Sequence, residues 1–147
     1  MVNIGVRKYK SSDFLGVKSI LVNSFPEVGR MINTSLIDSN SLDLDGSRYI
    51  QLVAVSDKNI LGYAIASRFV DPIVNRCNYW IDYVCVSSDY RGMGIGKLLM
   101  TEIESIARNE NVMFLQLTSS RFRTTARKMY SDLGYVIRES DIFRKEL

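Results

Sequence analysis

The chain has 147 residues, of which 46% are apolar and 24% charged, and this predicts one globular domain over residues 1–147. Its net charge of +3 is too small to indicate nucleic-acid binding, and no apolar run is long enough to span a membrane. The sequence has no histidine and two cysteines, which excludes a histidine-based catalytic triad and a histidine- or four-cysteine-ligated metal site.

The sequence pattern in the first part of the chain predicts a strand followed by helices. Val2, Ile4 and Val6 alternate with polar residues or glycine, as in a half-buried strand. The polar run from Ser11 to Asp13 can cap a helix whose apolar residues recur at helical spacing. A second, weaker helix is predicted over residues 27–37. A polar, turn-like segment follows it.

The sequence after this segment predicts three strands, followed by alternating helices and strands. Strands are predicted over residues 50–55, 60–69, 78–86, 112–117, 135–137 and 142–144. One helix is predicted from Ile95 to about Asn109, and another is capped by Thr124 or Thr125 and ends before Gly134. This order predicts a mixed α/β sheet with helices on its faces.

A glycine-rich turn between a strand and a helix is the most informative motif. It contains Gly92, Gly94 and Gly96, which let the backbone approach a ligand closely, and the next helix directs unpaired N–H groups toward the turn. Such a turn binds a phosphate or pyrophosphate. It is neither a P-loop, because Leu98 follows Lys97, nor a dinucleotide fingerprint, because the third glycine is misplaced.

The run from Arg91 to Gly96 resembles the pyrophosphate signature of the GNAT superfamily, which comprises acetyl-CoA-dependent N-acetyltransferases. A second resemblance is the helix with Ala126 and Tyr130, followed by Gly134 and an aromatic residue. The family implies an α/β fold with a mixed, mostly antiparallel, twisted sheet. That sheet is split into a V-shaped cofactor slot, with helices on both faces.

The resemblance also implies the residues that bind acetyl-CoA, which is a co-substrate and requires no metal. The backbone of Val84, Cys85 and Val86 is expected to pair with the pantetheine arm. The pyrophosphate is expected to bind at Arg91, Gly92, Met93, Gly94, Ile95, Gly96 and Lys97. Arg123 stands where many members have an asparagine that contacts the cofactor, and it could instead approach a cofactor phosphate.

Acetyl transfer to an amine needs a base for the amine and an acid for the thiolate. Tyr130 occupies the family's aromatic position near the cofactor sulfur and is the candidate acid. Asp82 is the candidate base, directly or through a water, because alternation along the strand places it on the same side as Val84 and Val86. A covalent acetyl-Cys85 is disfavoured, since the chain has no histidine to activate the thiol.

The predicted function is acetyl transfer to a primary amine of a small molecule by direct attack in a ternary complex. Arg30, Arg68 and Arg76 would favour a phosphorylated or phosphonylated amine. The alternatives are a protein (lysine or N-terminal) acetyltransferase and a non-catalytic CoA-binding sensor. A cytoplasmic protein without nucleic-acid or membrane partners is expected, and the resemblance allows a homodimer.

Overall fold

The computed structural model of the chain describes residues 3–24 and 34–147. The strands in these ranges are β1 Gly5–Lys8, β2 Tyr49–Ser56, β3 Asn59–Asp71, β4 Arg76–Val86 and β5 Leu115–Gln116. The helices are α1 Phe14–Ser24, α2 Ile95–Asn109 and α3 Thr124–Asp132. Most of the helix predicted over residues 27–37 lies outside the described residues, and Thr34–Leu36 forms a 3-10 turn.

The five strands form one sheet in the order β1-β2-β3-β4-β5. The first four pair antiparallel, and β5 pairs parallel to β4. A two-residue turn at Asp57 and Lys58 joins β2 to β3, with Asp57 at a φ of 53° that aspartate tolerates in tight turns. The three central strands predicted from alternation are therefore confirmed.

Helices cover both faces of the sheet, as predicted. The α1-side core packs Val17 and Ile20 of α1 against Tyr63 and Cys85 of the sheet. The α2-side core packs α2 against alternate residues of the strands, including Leu52, Ala64, Tyr79 and Ile81. None of the helices within the described ranges is both long and apolar enough to cross a membrane.

The sheet opens between β4 and β5. The two strands pair only at Tyr79–Leu115 and Trp80–Gln116, preceded by a hydrogen bond of 3.1 Å from the Tyr79 N–H to the Phe114 carbonyl. The strand predicted over residues 112–117 is therefore reduced to two residues. Beyond Trp80, β4 continues to Val86 without β5 beside it, and this divergence forms the predicted V-shaped slot.

The end of the chain differs from the sequence prediction. α3 ends as expected, with Gly134 at a φ of 90° and the Tyr135 N–H bonded to the Tyr130 carbonyl at 2.9 Å. The strands predicted over residues 135–137 and 142–144 are wrong, because those residues form no strand. Ile137 and Phe143 are 81% and 96% exposed. A strand needs a paired edge, and β5 offers only two residues.

Candidate active site

β4 contains one residue more than β3 at Asp82. The pairing passes from Ile65–Tyr83 directly to Ala66–Ile81, so Asp82 has no partner across the ladder. A bulge of this kind bends the strand and increases its twist. It lies two residues after Trp80, the last residue of β4 that pairs with β5, and it therefore marks the point where the slot opens.

Beyond the bulge, β4 presents hydrogen-bonding groups along its open edge. The Ser87 N–H donates to a carbonyl of β3 at 2.9 Å. Because the bonds of successive residues point to opposite sides of a strand, Cys85 also bonds toward β3, while Val84 and Val86 face the open edge. From that side, the Arg91 Nε donates to the Val86 carbonyl at 3.4 Å. An extended amide ligand can therefore pair with Val84 and Val86.

A cleft of about 420 Å³ lies along this edge. Five of the residues predicted to bind the cofactor line it, namely Val84, Cys85, Val86, Arg91 and Arg123. The lining residues that sequence reasoning missed are Ser24, Phe122, Thr124, Thr125 and Ala126. The last four are neighbours of Arg123 at the start of α3. They could have been predicted from the sequence, because a helix start beside a candidate ligand residue indicates further lining residues. Ser24 ends α1, far in the sequence from the other lining residues, and no sequence pattern indicates its place in the cleft.

The glycine turn adjoins this cleft through Arg91, which lines it, and the first turn of α2 follows the glycine turn. Gly92 and Gly94 both have a φ of 77°, and a Cβ on either would meet nothing within 4 Å. Gly94 is the residue before α2, so the first N–H groups of the helix point into open space beside the turn. Met93 and Lys97 are exposed there. The turn therefore has the shape and polarity of an anion site.

Two residues of the turn also have packing roles. The side chain of Ile95 is buried in the α2-side core, so only its backbone can face a ligand. A Cβ on Gly96 would lie 3.0 Å from the Met129 sulfur. Gly96 thus allows the close packing of α2 against α3, and its predicted contact with a ligand stays a prediction.

Asp82 does not lie on the predicted face. Its neighbour Ile81 packs in the α2-side core, so Asp82 points to the α1 side, where Tyr83 also lies. The bulge is the reason, because it interrupts the alternation assumed between Asp82 and Val84. Burial raises the pKa of the Asp82 carboxyl, and hydrogen bonding from Ser67 partly offsets this. Its Oδ2 is buried without a partner in the described part of the chain.

Tyr130 lies on the other side of the sheet from Asp82 and is not one of the residues that line the cleft. Its ring packs against the α2-side core and makes an edge-to-face contact with Tyr135, with ring centroids 6.1 Å apart. Burial raises the pKa of its hydroxyl, the Cys85 thiol raises it further and Arg123 lowers it. Because Cys85 and Arg123 both line the cleft, this hydroxyl lies within their electrostatic reach and stays protonated at neutral pH.

Cys85 lies in the cleft as a buried, protonated thiol. Burial raises its pKa to about 12, although Ser24, Arg123 and Arg91 act in the opposite direction. Both cysteines are free, as expected from their positions. A thiol with such a raised pKa is a poor nucleophile at neutral pH.

Arg68 does not contribute to the cleft. Its guanidinium contacts both oxygens of Glu110, at 2.9 and 2.6 Å, and the Gly46 carbonyl at 2.9 Å. Glu110 also accepts from the Tyr79 hydroxyl. Arg68 is therefore paired with Glu110 outside the cleft, its role in selecting a phosphorylated acceptor stays a prediction, and Arg30 lies outside the described residues. Within the described ranges, no group of three or more acidic or cysteine side chains is placed to hold a metal ion.

Comparison with known proteins identifies the family. A model described as the Acetyltransferase (GNAT) family matches residues 15–135. N-acetyltransferase 8F1 of Mus musculus is 26% identical over 108 residues, which cover 74% of this chain and 49% of that protein. The chain thus spans about half the length of this relative.

Solved structures share the fold. The ribosomal-protein-alanine N-acetyltransferase from Brucella melitensis biovar Abortus 2308 is similar at a TM-score of 0.80 and 20% identity, covering 98% of this chain and 99% of that one. An aminoglycoside acetyltransferase from an uncultured soil metagenomic sample is similar at a TM-score of 0.79 and 18% identity, covering 98% and 95%. With the glycine turn and open strand edge, the family match shows that this chain belongs to the GNAT acetyltransferase family.

Proposed function

We propose that the protein transfers an acetyl group from acetyl-CoA to a primary amine of a small molecule by direct attack in a ternary complex. The observation that carries this proposal is the open edge of β4, where Val84 and Val86 face a cleft that also contains Arg91. An extended pantetheine arm needs amide partners of this kind, and a pyrophosphate needs the free N–H groups beside Gly94.

The positions of Asp82 and Tyr130 support separate proton routes on the two sides of the sheet. Acetyl-CoA, when bound, supplies the activated thioester. Asp82 takes a proton from the incoming ammonium, directly or through a water, so that the neutral amine nitrogen can bond to the acetyl carbon. Tyr130 gives its proton to the sulfur as the carbon–sulfur bond breaks, and it regains one through solvent when the acetylated nitrogen loses its extra proton. A main-chain N–H group of the open edge can donate to the developing oxyanion.

Two features support a compact amine and direct attack. The Oδ2 of Asp82 is buried and has no partner among the described residues, so an ammonium group that reached it would satisfy both groups. The raised pKa of Cys85 argues against an acetyl-enzyme at neutral pH. The two solved structures are named for acceptors as different as a protein and an aminoglycoside, because this fold does not by itself fix the acceptor.

Acetyl-CoA-dependent thiol release tests the proposal. The amine panel contains aminoalkylphosphonates, hexosamine phosphates, polyamines, aminoglycosides and lysine peptides. We expect turnover of one small amine, with a kcat about a hundredfold lower in Tyr130→Phe. Tyr135→Phe is the matched control, because the Tyr135 hydroxyl lies beside Glu104, whereas the Tyr130 hydroxyl lies within electrostatic reach of Cys85 and Arg123 in the cleft. Turnover of peptides alone, or acetyl-CoA binding without turnover of any amine, would contradict the proposal.

A further inference from the structure

Phe122 is an exposed aromatic residue in the lining of the cleft. Its side chain is 66% exposed, although it lies beside Arg123 in a concave site. The turn before α3 holds it in place, since the Arg123 N–H donates to the Ser120 carbonyl at 3.1 Å and the Thr124 N–H to the Phe122 carbonyl at 2.9 Å. The ring therefore extends from a hydrogen-bonded turn and adds an apolar surface to a polar, cationic cleft.

The other exposed phenylalanines in the described ranges differ from Phe122. Phe114 is 39% exposed and makes an edge-to-face contact with Phe69. Phe143 is 96% exposed and lies outside the cleft. Phe122 thus combines a free aromatic face with a position among the groups that would bind a nucleotide ligand.

The chemistry of the cleft changes along its length. Val84 and Val86 present amide groups, and the Arg91 turn presents N–H groups and positive charge. If these hold the pantetheine arm and the pyrophosphate, the part of acetyl-CoA still without a partner is the adenosine 3′-phosphate. Its base has a flat π surface, which stacks on aromatic rings, and its phosphate is complementary to arginine. Phe122 offers the ring, and Arg121 and Arg123 flank it in the sequence.

We infer that Phe122 stacks against the adenine base of acetyl-CoA, so that the protein selects the nucleotide-bearing donor over acetyl-pantetheine. The inference rests on the proposed function, because it assumes that the cleft binds CoA. It adds a recognition residue for the end of the donor far from the reaction.

Binding measurements test the inference without knowledge of the acceptor. The dissociation constant of CoA is measured by calorimetry, and that of pantetheine by competition against CoA. We expect Phe122→Ala to weaken CoA binding about tenfold and to leave pantetheine binding unchanged. Phe122→Tyr should restore the affinity for CoA. Phe143→Ala is the matched control, because it removes an exposed ring outside the cleft.

Proton NMR of bound CoA gives a second readout that a purely structural role would not produce. Stacking on Phe122 should shift the adenine H2 and H8 signals upfield in the wild type and in Phe122→Tyr, but not in Phe122→Ala. Equal weakening of CoA and pantetheine, or unchanged CoA binding in Phe122→Ala, would overturn the inference alone. Failure of the wild type to bind CoA would overturn the proposed function as well.

Discussion

Gly96 and Met129 are in direct contact: a methyl group on Gly96 would lie 3.0 Å from the Met129 sulfur and 3.6 Å from its terminal carbon. The first turn of α2 therefore packs on α3 with only the Met129 side chain between them at this point. Because Tyr130 follows Met129, this contact also joins the glycine turn to the helix that carries the candidate acid.

The sign of the stability change in Gly96→Ala should depend on Met129. Alanine favours a helix over glycine by up to about 1 kcal/mol, but overpacking costs about 1–3 kcal/mol. We expect Gly96→Ala to destabilise the wild type by about 1 kcal/mol and to stabilise the Met129→Ala variant slightly. Urea unfolding of the four proteins of this double-mutant cycle measures the difference. The same effect in both backgrounds would show that the contact does not limit packing.

Gly94→Ala should reduce both stability and cofactor binding. Gly94 has a φ of 77°, and an alanine in this left-handed conformation costs about 1–2 kcal/mol. Gly46→Ala is the matched control, because Gly46 has no positive φ and a Cβ there would meet nothing within 4 Å. Thermal unfolding and CoA calorimetry should separate the two variants. Equal stability of both would mean that the turn adapts to alanine without strain.

Asp82→Asn should lower activity and raise stability at neutral pH. Burial raises the pKa of this carboxyl, so the native state holds the proton more tightly than the unfolded chain does, for which the pKa is about 3.9. Stability therefore falls as the pH rises from about 3.9 through the raised pKa, and it stays lower above it. Asparagine carries no charge and should remove this loss.

Two measurements test the prediction for Asp82. The melting temperature of Asp82→Asn should exceed that of the wild type at pH 7 and approach it near pH 3. The kcat should fall about a hundredfold if Asp82 is the base. The acid limb of wild-type activity should also lie at a higher pH than for an ordinary aspartate. An Asn variant with full activity would exclude Asp82 as the base.

Asp13→Asn should destabilise the protein most above pH 4. Asp13 is 6% exposed and accepts from Arg7 at 2.7 and 2.9 Å and from the Lys10 N–H at 2.8 Å. Hydrogen bonding to Arg7 lowers its pKa, so the stabilisation is present above the unfolded pKa of about 3.9 and is lost as the pH falls through the lowered pKa.

We expect Asp13→Asn to cost about 2 kcal/mol at pH 7 and progressively less below pH 4. Asp132→Asn is the matched control, since Asp132 accepts from Lys128 at the same 2.7 Å but is 54% exposed. That exposed pair should contribute less than about 0.5 kcal/mol. If the two aspartates proved equivalent in urea unfolding at pH 7, burial would not be the source of the Asp13 effect.

Local sequence patterns correctly predicted the elements whose formation depends mainly on their own residues. The alternation in β2, β3 and β4 and the helical spacing after Ile95 are confirmed. Gly134 was predictable as the residue after α3, because few residues other than glycine adopt its φ of 90°. The open β4 edge was implied by the family resemblance, and the structure gives its geometry.

The features that depend on distant partners were not predictable from local patterns. The bulge at Asp82 depends on the pairing of β4 with β3, and strict alternation gave Asp82 the wrong face. Strand-like residues such as Ile142 and Phe143 form no strand, because strand formation needs a neighbouring edge as well as propensity. The place of Gly96 in helix packing required the position of Met129.

The bulge also decides where β4 can change its length. Ile81 belongs to the α2-side core and Tyr83 to the α1 side, and Asp82 is the extra residue between them. Deletion of Asp82 would leave every other side chain of the strand on its present face, and it would remove the added twist together with the candidate base. A deletion elsewhere in β4 would move the side chains on one side of the deletion to the opposite face of the sheet. A deletion at this one position is therefore expected to change the shape of the slot without reorienting the side chains of the core.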